Sequence, residues 1–325
     1  MTRPIRIVVS SVVTRIAGER LRNGLEPSDE IVTVDGATRP ATLELADVVL
    51  HEYFDNELET LGGILAAAPR VRWIHSLAAG IDGLDLNELV GRDVLFTNSA
   101  GIFAPGMAEY VVAGLVWAAR GLGRWQQSAR RDDSAPIGWE LRGRRVGIVG
   151  YGGVGRMVAI TCRALGMEVW VTRRTPIVPA LEPIDRAVDA AEFSDMLASC
   201  DALVLCSSLN SSTRQLLDAE AFARVRHGAV LVNVARGGLV DQDALVDALR
   251  SGRVSGAVLD VTTPEPLPED HPLRSIPNTY ITPHVSGDTE EAWSRKIDLF
   301  LANLQLYRSG RARFLANLVD PAHHL

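Results

Sequence analysis

Three ionisable residues stand just past short apolar runs: Arg236 after Ala229 to Asn233, Glu265 after Ala257 to Asp260, and His284 after Tyr280 to Pro283. Taken singly, each has an ordinary structural use: a surface guanidinium, a capping carboxylate in the proline-rich loop 264–268, and a hydrogen-bonded loop histidine. Taken together they suit hydride transfer to a keto acid. That reaction needs a cation for the substrate carboxylate, a proton donor for its carbonyl oxygen, and a partner that keeps the donor charged.

A second group lies upstream. Gly150, Gly152 and Gly155 fall at the spacing Gly-X-Gly-X-X-Gly, between the apolar run Val146 to Val149 and a helical pattern from Arg156 to Leu165 closed by Gly166. Such glycines serve three separate ends in a dinucleotide site: a tight turn, close approach of a pyrophosphate, and packing of helix on strand. The helix N-terminus then offers free N–H groups and a positive dipole end to the phosphate. The next apolar run, Val169 to Thr172, ends in Arg173-Arg174, where an NAD site would want an acid; the first acid after it is Glu182. A carboxylate there repels a ribose 2′-phosphate and guanidinium forks grip it, although two solvated surface arginines would read the same. Ala78, Ala79 and Gly80 follow the run Trp73 to His75, and small residues after a strand let backbone N–H groups approach an anion. An ordinary strand-to-helix turn has the same composition.

The elements that must position these residues alternate along the chain. Runs at Ile5 to Val9, Ile31 to Val34, Val48 to Leu50, Trp73 to His75 and Val94 to Thr97 read as strands, with helical stretches near Arg15 to Leu25 and from Asn56 to Ala68. Pro105 to Ala119 is a small-residue helix with proline near its start. The segment Gly121 to Gly143, with Trp125 and Trp139, lacks clean periodicity and reads as an arm, placed against a second copy or against its own domain. Beyond the glycine turn, Ala202 to Cys206, Ala229 to Asn233 and Ala257 to Asp260 are unalternating apolar runs, the pattern of parallel strands buried on both faces. They imply a parallel doubly wound sheet over about Asn98 to Pro283. An amphipathic helix from Thr289 to Tyr307 comes too late for that sheet and suits a return to the first domain.

The 325 residues exceed one ordinary core and suggest two domains. A net charge of −7, without a block of Lys and Arg, argues against nucleic acid as a partner. Cys162, Cys200 and Cys206 lack metal-ligand spacing and read as buried free thiols, so no metal site is expected. No N-terminal run is long enough to span a membrane, and the expected location is the cytoplasm.

The runs Asn233 to Asp241, Leu259 to Leu267 and Thr282-Pro283-His284 resemble the signature segments of the D-isomer-specific 2-hydroxyacid dehydrogenases. Trp139 to Gly143, Ser212-Thr213-Arg214 and Asn317 to Asp320 extend the resemblance over nearly the whole chain. It implies an α/β fold of two Rossmann-like domains, each a doubly wound parallel sheet, with the active site in the cleft between them. Residues 1–98 and 286–325 would form the substrate domain and 99–285 the dinucleotide domain. Arg236, Glu265 and His284 coincide with the family's catalytic trio, and Ala78, Ala79 and Gly80 with its substrate-carboxylate loop. The cofactor, NADP in preference or else NAD, would engage Gly150, Gly152, Gly153, Val154, Gly155, Thr172, Arg173, Arg174 and Ala235, with Asp260 near the nicotinamide. Arg173 resembles the glyoxylate and hydroxypyruvate reductase members, so the implied substrate is a small 2-keto acid of that kind. Family members are commonly homodimers with an arm like 121–143. Two departures or rivals stand beside this: Cys206 to Leu209 lacks the proline common in that segment, and relatives include phosphonate- or formate-type NAD-dependent dehydrogenases and dinucleotide-sensing corepressors. Phe103 and Trp293 are candidates for pocket lining or for core.

Overall fold

The computed structural model describes residues 3–34, 41–52, 54, 56–126, 138–173 and 181–323. Chain contacts divide it into two units, Met1–Ile102 with Thr289–Leu325, and Phe103–Asp288.

In the first unit the apolar runs become β1 (Arg6–Ser10), β2 (Glu30–Val34), β3 (Val48–His51), β4 (Trp73–Ser76) and β5 (Leu95–Thr97). They pair in parallel in the order β2-β1-β3-β4-β5, which reverses direction between β1 and β3. Ser10 ends β1 and starts α1 (Ser11–Asn23), its hydroxyl accepting the Val13 N–H at 3.3 Å. The pattern from Asn56 to Ala68 predicts one helix; the structure splits it into a 3-10 turn, Asn56–Glu59, and α2 (Leu61–Ala67). The physical cause is Thr60, whose hydroxyl caps the Gly63 N–H at 3.0 Å and so starts a new helix there. The late helix α9 (Glu290–Arg308) does return to this unit.

Alternation along the strands explains why α9 is needed. Val8, Val49 and Ile74 face a core with Leu61 and Ile64 of α2, whereas Ile7, Val9, Val48, Leu50 and Trp73 face the opposite way. That second face is closed by Val13 and Leu21 of α1 together with Ile297, Phe300 and Leu304 of α9. Trp73 stacks on Phe300 with centroids 5.1 Å apart. Without the C-terminal segment, the part of this face that α1 does not cover would meet water.

The second unit starts with α3 (Ala104–Ala119) and α4 (Leu122–Gln126), followed by β6 (Arg145–Val149), α5 (Gly153–Ala164), β7 (Glu168–Thr172) and β8 (Arg186–Val188). It continues through α6 (Phe193–Ser199), β9 (Ala202–Leu205), α7 (Ala219–Arg224), β10 (Ala229–Asn233), α8 (Gln242–Arg250), β11 (Val254–Leu259) and β12 (Thr279–Ile281). All seven strands are parallel, ordered β12-β11-β10-β9-β6-β7-β8. Helices cover both faces. Ala202 and Val204 point toward α3 and α5, and Leu203 and Leu205 toward α6, α7 and α8. The strand order reverses between β6 and β9, so the glycine turn that follows β6 stands at the switch point, where open α/β sheets bind ligands.

β8 was not apparent as a strand. Only three residues long, it is an edge beside Trp170 of β7, whose ring centroid lies 4.3 and 4.4 Å from the guanidiniums of Arg145 and Arg186. Of the arm, residues 127–137 lie outside the described residues; Trp139 packs on this unit's own core, and Trp125 is 37% exposed. Cys162 and Cys200 are free and buried, and desolvation pushes both thiols up to about 12; Cys206 is half-buried. Among the described residues, no helix is long and apolar enough to cross a membrane.

Candidate active site

The three glycines after β6 have three different surroundings. Gly150 has φ 95°, a left-handed turn closed to side chains, and a Cβ there would lie 2.7 Å from the Ser207 backbone. Gly155 packs so closely that a Cβ would lie 2.1 Å from the Gly150 carbonyl oxygen. Gly152 is the opposite: a Cβ would meet nothing within 4 Å. Its surface is open, at the N-cap of α5, a helix with no side-chain cap. Turn, open cradle and tight packing are what a pyrophosphate at a helix N-terminus requires, so the residues fit a dinucleotide. Gly153 and Val154 form the first turn of α5, with Val154 partly packed on the core.

Thr172, at the end of β7, accepts the Gly150 N–H at 3.2 Å and fixes the turn against the strand. Arg173 follows it and is exposed; Arg174 lies outside the described residues. Between this strand end and α5 stands Glu182. One carboxylate oxygen accepts from Arg156 Nε at 2.9 Å and from the Tyr151 hydroxyl at 3.0 Å. These two hydrogen bonds, with the Arg173 charge beyond them, hold the Glu182 carboxyl below its ordinary range. Burial, then Glu182 itself, pushes the Tyr151 hydroxyl up to about 12.

Arg236 follows β10 and is half-buried. Buried Asn233 closes its turn, donating to the Arg236 carbonyl at 2.9 Å and accepting the Ala235 N–H at 3.1 Å. Next to it, Gly237 runs so near Thr262 that a Cβ would come within 2.1 Å of that backbone. The loop bearing Arg236 is thus pressed against the loop bearing Glu265. Glu265 accepts the Thr262 N–H at 3.1 Å with one oxygen and meets His284 Nδ1 at 3.1 Å with the other. The pair is only partly shielded, with side chains 51% and 39% exposed.

His284 itself has φ 57°, a left-handed conformation rare for a side chain of its size. Asp260, wholly buried at the end of β11, holds it there. The Asp260 carbonyl accepts the His284 N–H at 2.9 Å, and its carboxylate accepts the N–H groups of Val285 and Ser286 at 2.8 and 2.9 Å. The same carboxylate accepts the Thr282 hydroxyl at 2.7 Å, and Thr282 meets Tyr110 of α3 at 2.5 Å. Asp260 was expected beside the nicotinamide; its carboxylate is engaged with the histidine loop. Sequence reasoning missed Tyr110 and Thr282, whose partners are distant in the chain.

In the first unit, Ala78, Ala79 and Gly80 leave β4 as a bent loop. Ala78 donates to Ser76 Oγ at 3.2 Å, and the Ala79 carbonyl accepts from Asn98 at 3.0 Å. Among the described residues the amides of Ala79 and Gly80 have no protein acceptor. Beneath the loop, His75 is buried, and desolvation lowers its pKa to about 3. Phe103 packs on Gly287 in the second unit, and Trp293 sits in the first unit's core at 8% exposure.

A parallel sheet with its switch point at an open glycine cradle defines a dinucleotide-binding α/β protein. The family model for the D-isomer specific 2-hydroxyacid dehydrogenase, NAD binding domain, matches residues 112–286. The chain belongs to that family. It is 34% identical over 242 residues to the (S)-sulfolactate dehydrogenase of Chromohalobacter salexigens, covering 71% of this chain and 76% of that one. To the D-3-phosphoglycerate dehydrogenase of Mycobacterium leprae it is 35% identical over 235 residues, 71% of this chain but 44% of that longer protein. Among solved structures, a D-isomer specific 2-hydroxyacid dehydrogenase family protein of Aeromonas salmonicida superposes with a TM-score of 0.83 at 30% identity, covering 98% of this chain and 100% of the other. The NADPH-dependent glyoxylate/hydroxypyruvate reductase of Sinorhizobium meliloti, in complex with NADP and sulfate, gives 0.81 at 25% identity, over 98% and 99%.

Proposed function

We propose that this chain reduces a small 2-keto acid such as glyoxylate or hydroxypyruvate, with NADPH preferred over NADH. The observation that carries the reaction is the His284–Glu265 pair at 3.1 Å, beside a half-buried arginine on an adjoining loop. A bound nicotinamide supplies the hydride. Arg236 holds the substrate carboxylate, for which a planar guanidinium is suited. Ala78, Ala79 and Gly80 carry over as the substrate-carboxylate loop of the first unit.

His284 donates its proton to the carbonyl oxygen as the alcohol forms, and Glu265 keeps the imidazolium charged and oriented through Nδ1. Oxidation of the hydroxy acid needs the neutral imidazole instead. The two directions therefore have opposite pH slopes, reduction failing toward alkali and oxidation toward acid. The preference for NADPH rests on Arg173, exposed at the end of β7 where a ribose-binding acid would otherwise stand.

We assign the protein to the cytoplasm, in keeping with its unpaired buried thiols, and to a homodimer. Val116, Leu122, Trp125 and Tyr280 are large apolar side chains exposed in the second unit, and they suit a second copy of the chain. The deciding measurement is reduction of glyoxylate and hydroxypyruvate with NADPH and NADH at equal, subsaturating concentration. Faster turnover with NADPH is expected. Faster turnover with NADH would keep the enzyme but mean that Arg173 does not select a 2′-phosphate, and absence of turnover with any 2-keto acid would leave a dinucleotide sensor as the better reading.

A further inference from the structure

We propose that Glu182 is a specificity-determining residue that competes with a ribose 2′-phosphate for Arg156 and so narrows the preference for NADP(H) over NAD(H). The proposal rests on the reading of 150–155 and Arg173 as the cofactor site, and adds a residue that acts against Arg173.

The placement comes from three elements of one unit. Tyr151 is the middle residue of Gly150-Tyr151-Gly152, Arg156 lies in the first turn of α5, and Arg173 follows β7. Glu182 returns to all three. It takes the Arg156 Nε–H at 2.9 Å and the Tyr151 O–H at 3.0 Å, and the Arg173 charge acts on its carboxylate. The ion pair is shallow, with side chains 53% and 25% exposed, so it is open to exchange with an anion from solution. Tyr151 is 4% exposed and anchors the carboxylate from below.

A 2′-phosphate monoester brings a charge between −1 and −2 and acceptors that want guanidinium donors. Among the described residues, Arg173 is exposed, and Arg156 already has a carboxylate on it. Seating the phosphate requires that Glu182 give up Arg156 or bear the repulsion. A ribose 2′-hydroxyl has no such conflict, since it can donate to the same carboxylate. The chain therefore holds a cation that attracts the phosphate and an anion that discounts the attraction.

The test is calorimetric titration of NADP+ and NAD+, and of adenosine 2′,5′-bisphosphate and 5′-AMP, into the wild-type protein, Glu182→Gln and the double variant Glu182→Gln/Arg156→Gln at fixed low ionic strength. Glutamine keeps an oxygen acceptor for Tyr151 and Arg156, so the fold has the same hydrogen bonds. Glu182→Gln should bind the two 2′-phosphorylated ligands about tenfold more tightly, the size of a like-charge repulsion across a few ångströms near a surface, with NAD+ and 5′-AMP changed by less than about threefold. The gain should vanish in the double variant. Equal shifts for all four ligands, or weaker binding of the phosphorylated pair, would show that Glu182 builds the site and would overturn the competition. The wild-type ratio of NADP+ to NAD+ tests the NADPH reading separately, because the Glu182 proposal is read from the change between variant and wild type.

Discussion

His284 has Nδ1 on Glu265, and its backbone is held at φ 57° by Asp260. The imidazole is therefore placed by two loops, those that follow β11 and β12, neither of which belongs to the glycine turn. Replacing the imidazole with an amide removes the proposed proton donor and leaves the turn alone. His284→Gln should lower kcat for keto-acid reduction by at least about 100-fold, the usual scale for a positioned acid. Cofactor affinity, followed by titration of the same protein, should stay within about twofold. A variant that keeps near-native kcat would take His284 out of the reaction. Loss of cofactor binding would instead mean that the loop 282–286 had collapsed. Asp260 is the residue to which such a collapse would trace, because its buried carboxylate accepts three hydrogen bonds from that loop.

At the scale of elements, the glycine turn separates two requirements that sequence spacing states together. Gly155→Ala drives a Cβ into the Gly150 carbonyl at 2.1 Å, so strand and helix must part; it should cost about 1–3 kcal/mol of stability, seen as a lower Tm without ligand. Gly152→Ala adds a methyl to open space, so its Tm should stay near native while cofactor affinity falls at least about tenfold. Equal Tm losses in the two variants would refute this division. The strand β4 gives a pH dependence. Buried His75 stays neutral down to about pH 3, whereas the unfolded chain protonates it near pH 6.5. The unfolded state then holds more protons through that window, so the first unit should lose stability as pH falls from about 6.5 toward 3, by up to roughly 1.4 kcal/mol per pH unit. His51, lowered mainly by burial, acts in the same sense. Chemical denaturation of His75→Gln across that range should show a shallower slope; an unchanged slope would exclude His75. Period and punctuation made most elements legible, since short uninterrupted runs such as Ala202 to Leu205, bounded by turn residues, match strands buried on both faces. β8 was illegible because its order comes from Trp170 and two arginines, and the break before α2 because a threonine cap outweighs an apolar pattern. Arg236, Glu265 and His284 were legible by their places after strands, whereas the Tyr110–Thr282–Asp260 chain joins residues up to 172 apart, a distance that no local pattern encodes.

For the whole molecule, the order of the chain and the order of the units differ. Phe103–Asp288 is continuous, but the first unit needs both ends, because α9 closes the sheet face that α1 leaves open. Each unit has its own apolar clusters on two sides of its own sheet. Cofactor binds only the native form of the second unit's glycine cradle, while acid acts on His75 and His51 in the first. Two perturbations thus address two units. Scanning calorimetry should resolve two transitions at reduced pH. Saturating NADP+, at about 100 times its dissociation constant, contributes roughly 2.7 kcal/mol to the unit that binds it. For a unit of this size that amounts to about 5–10 °C on one transition. Lowering the pH from about 7 to 5 should move the other transition down with little change in the first. A single transition that follows both perturbations together would mean that the units unfold as one body. Two transitions of which neither responds to NADP+ would remove the cofactor from the glycine cradle, and with it the hydride on which the His284 chemistry depends.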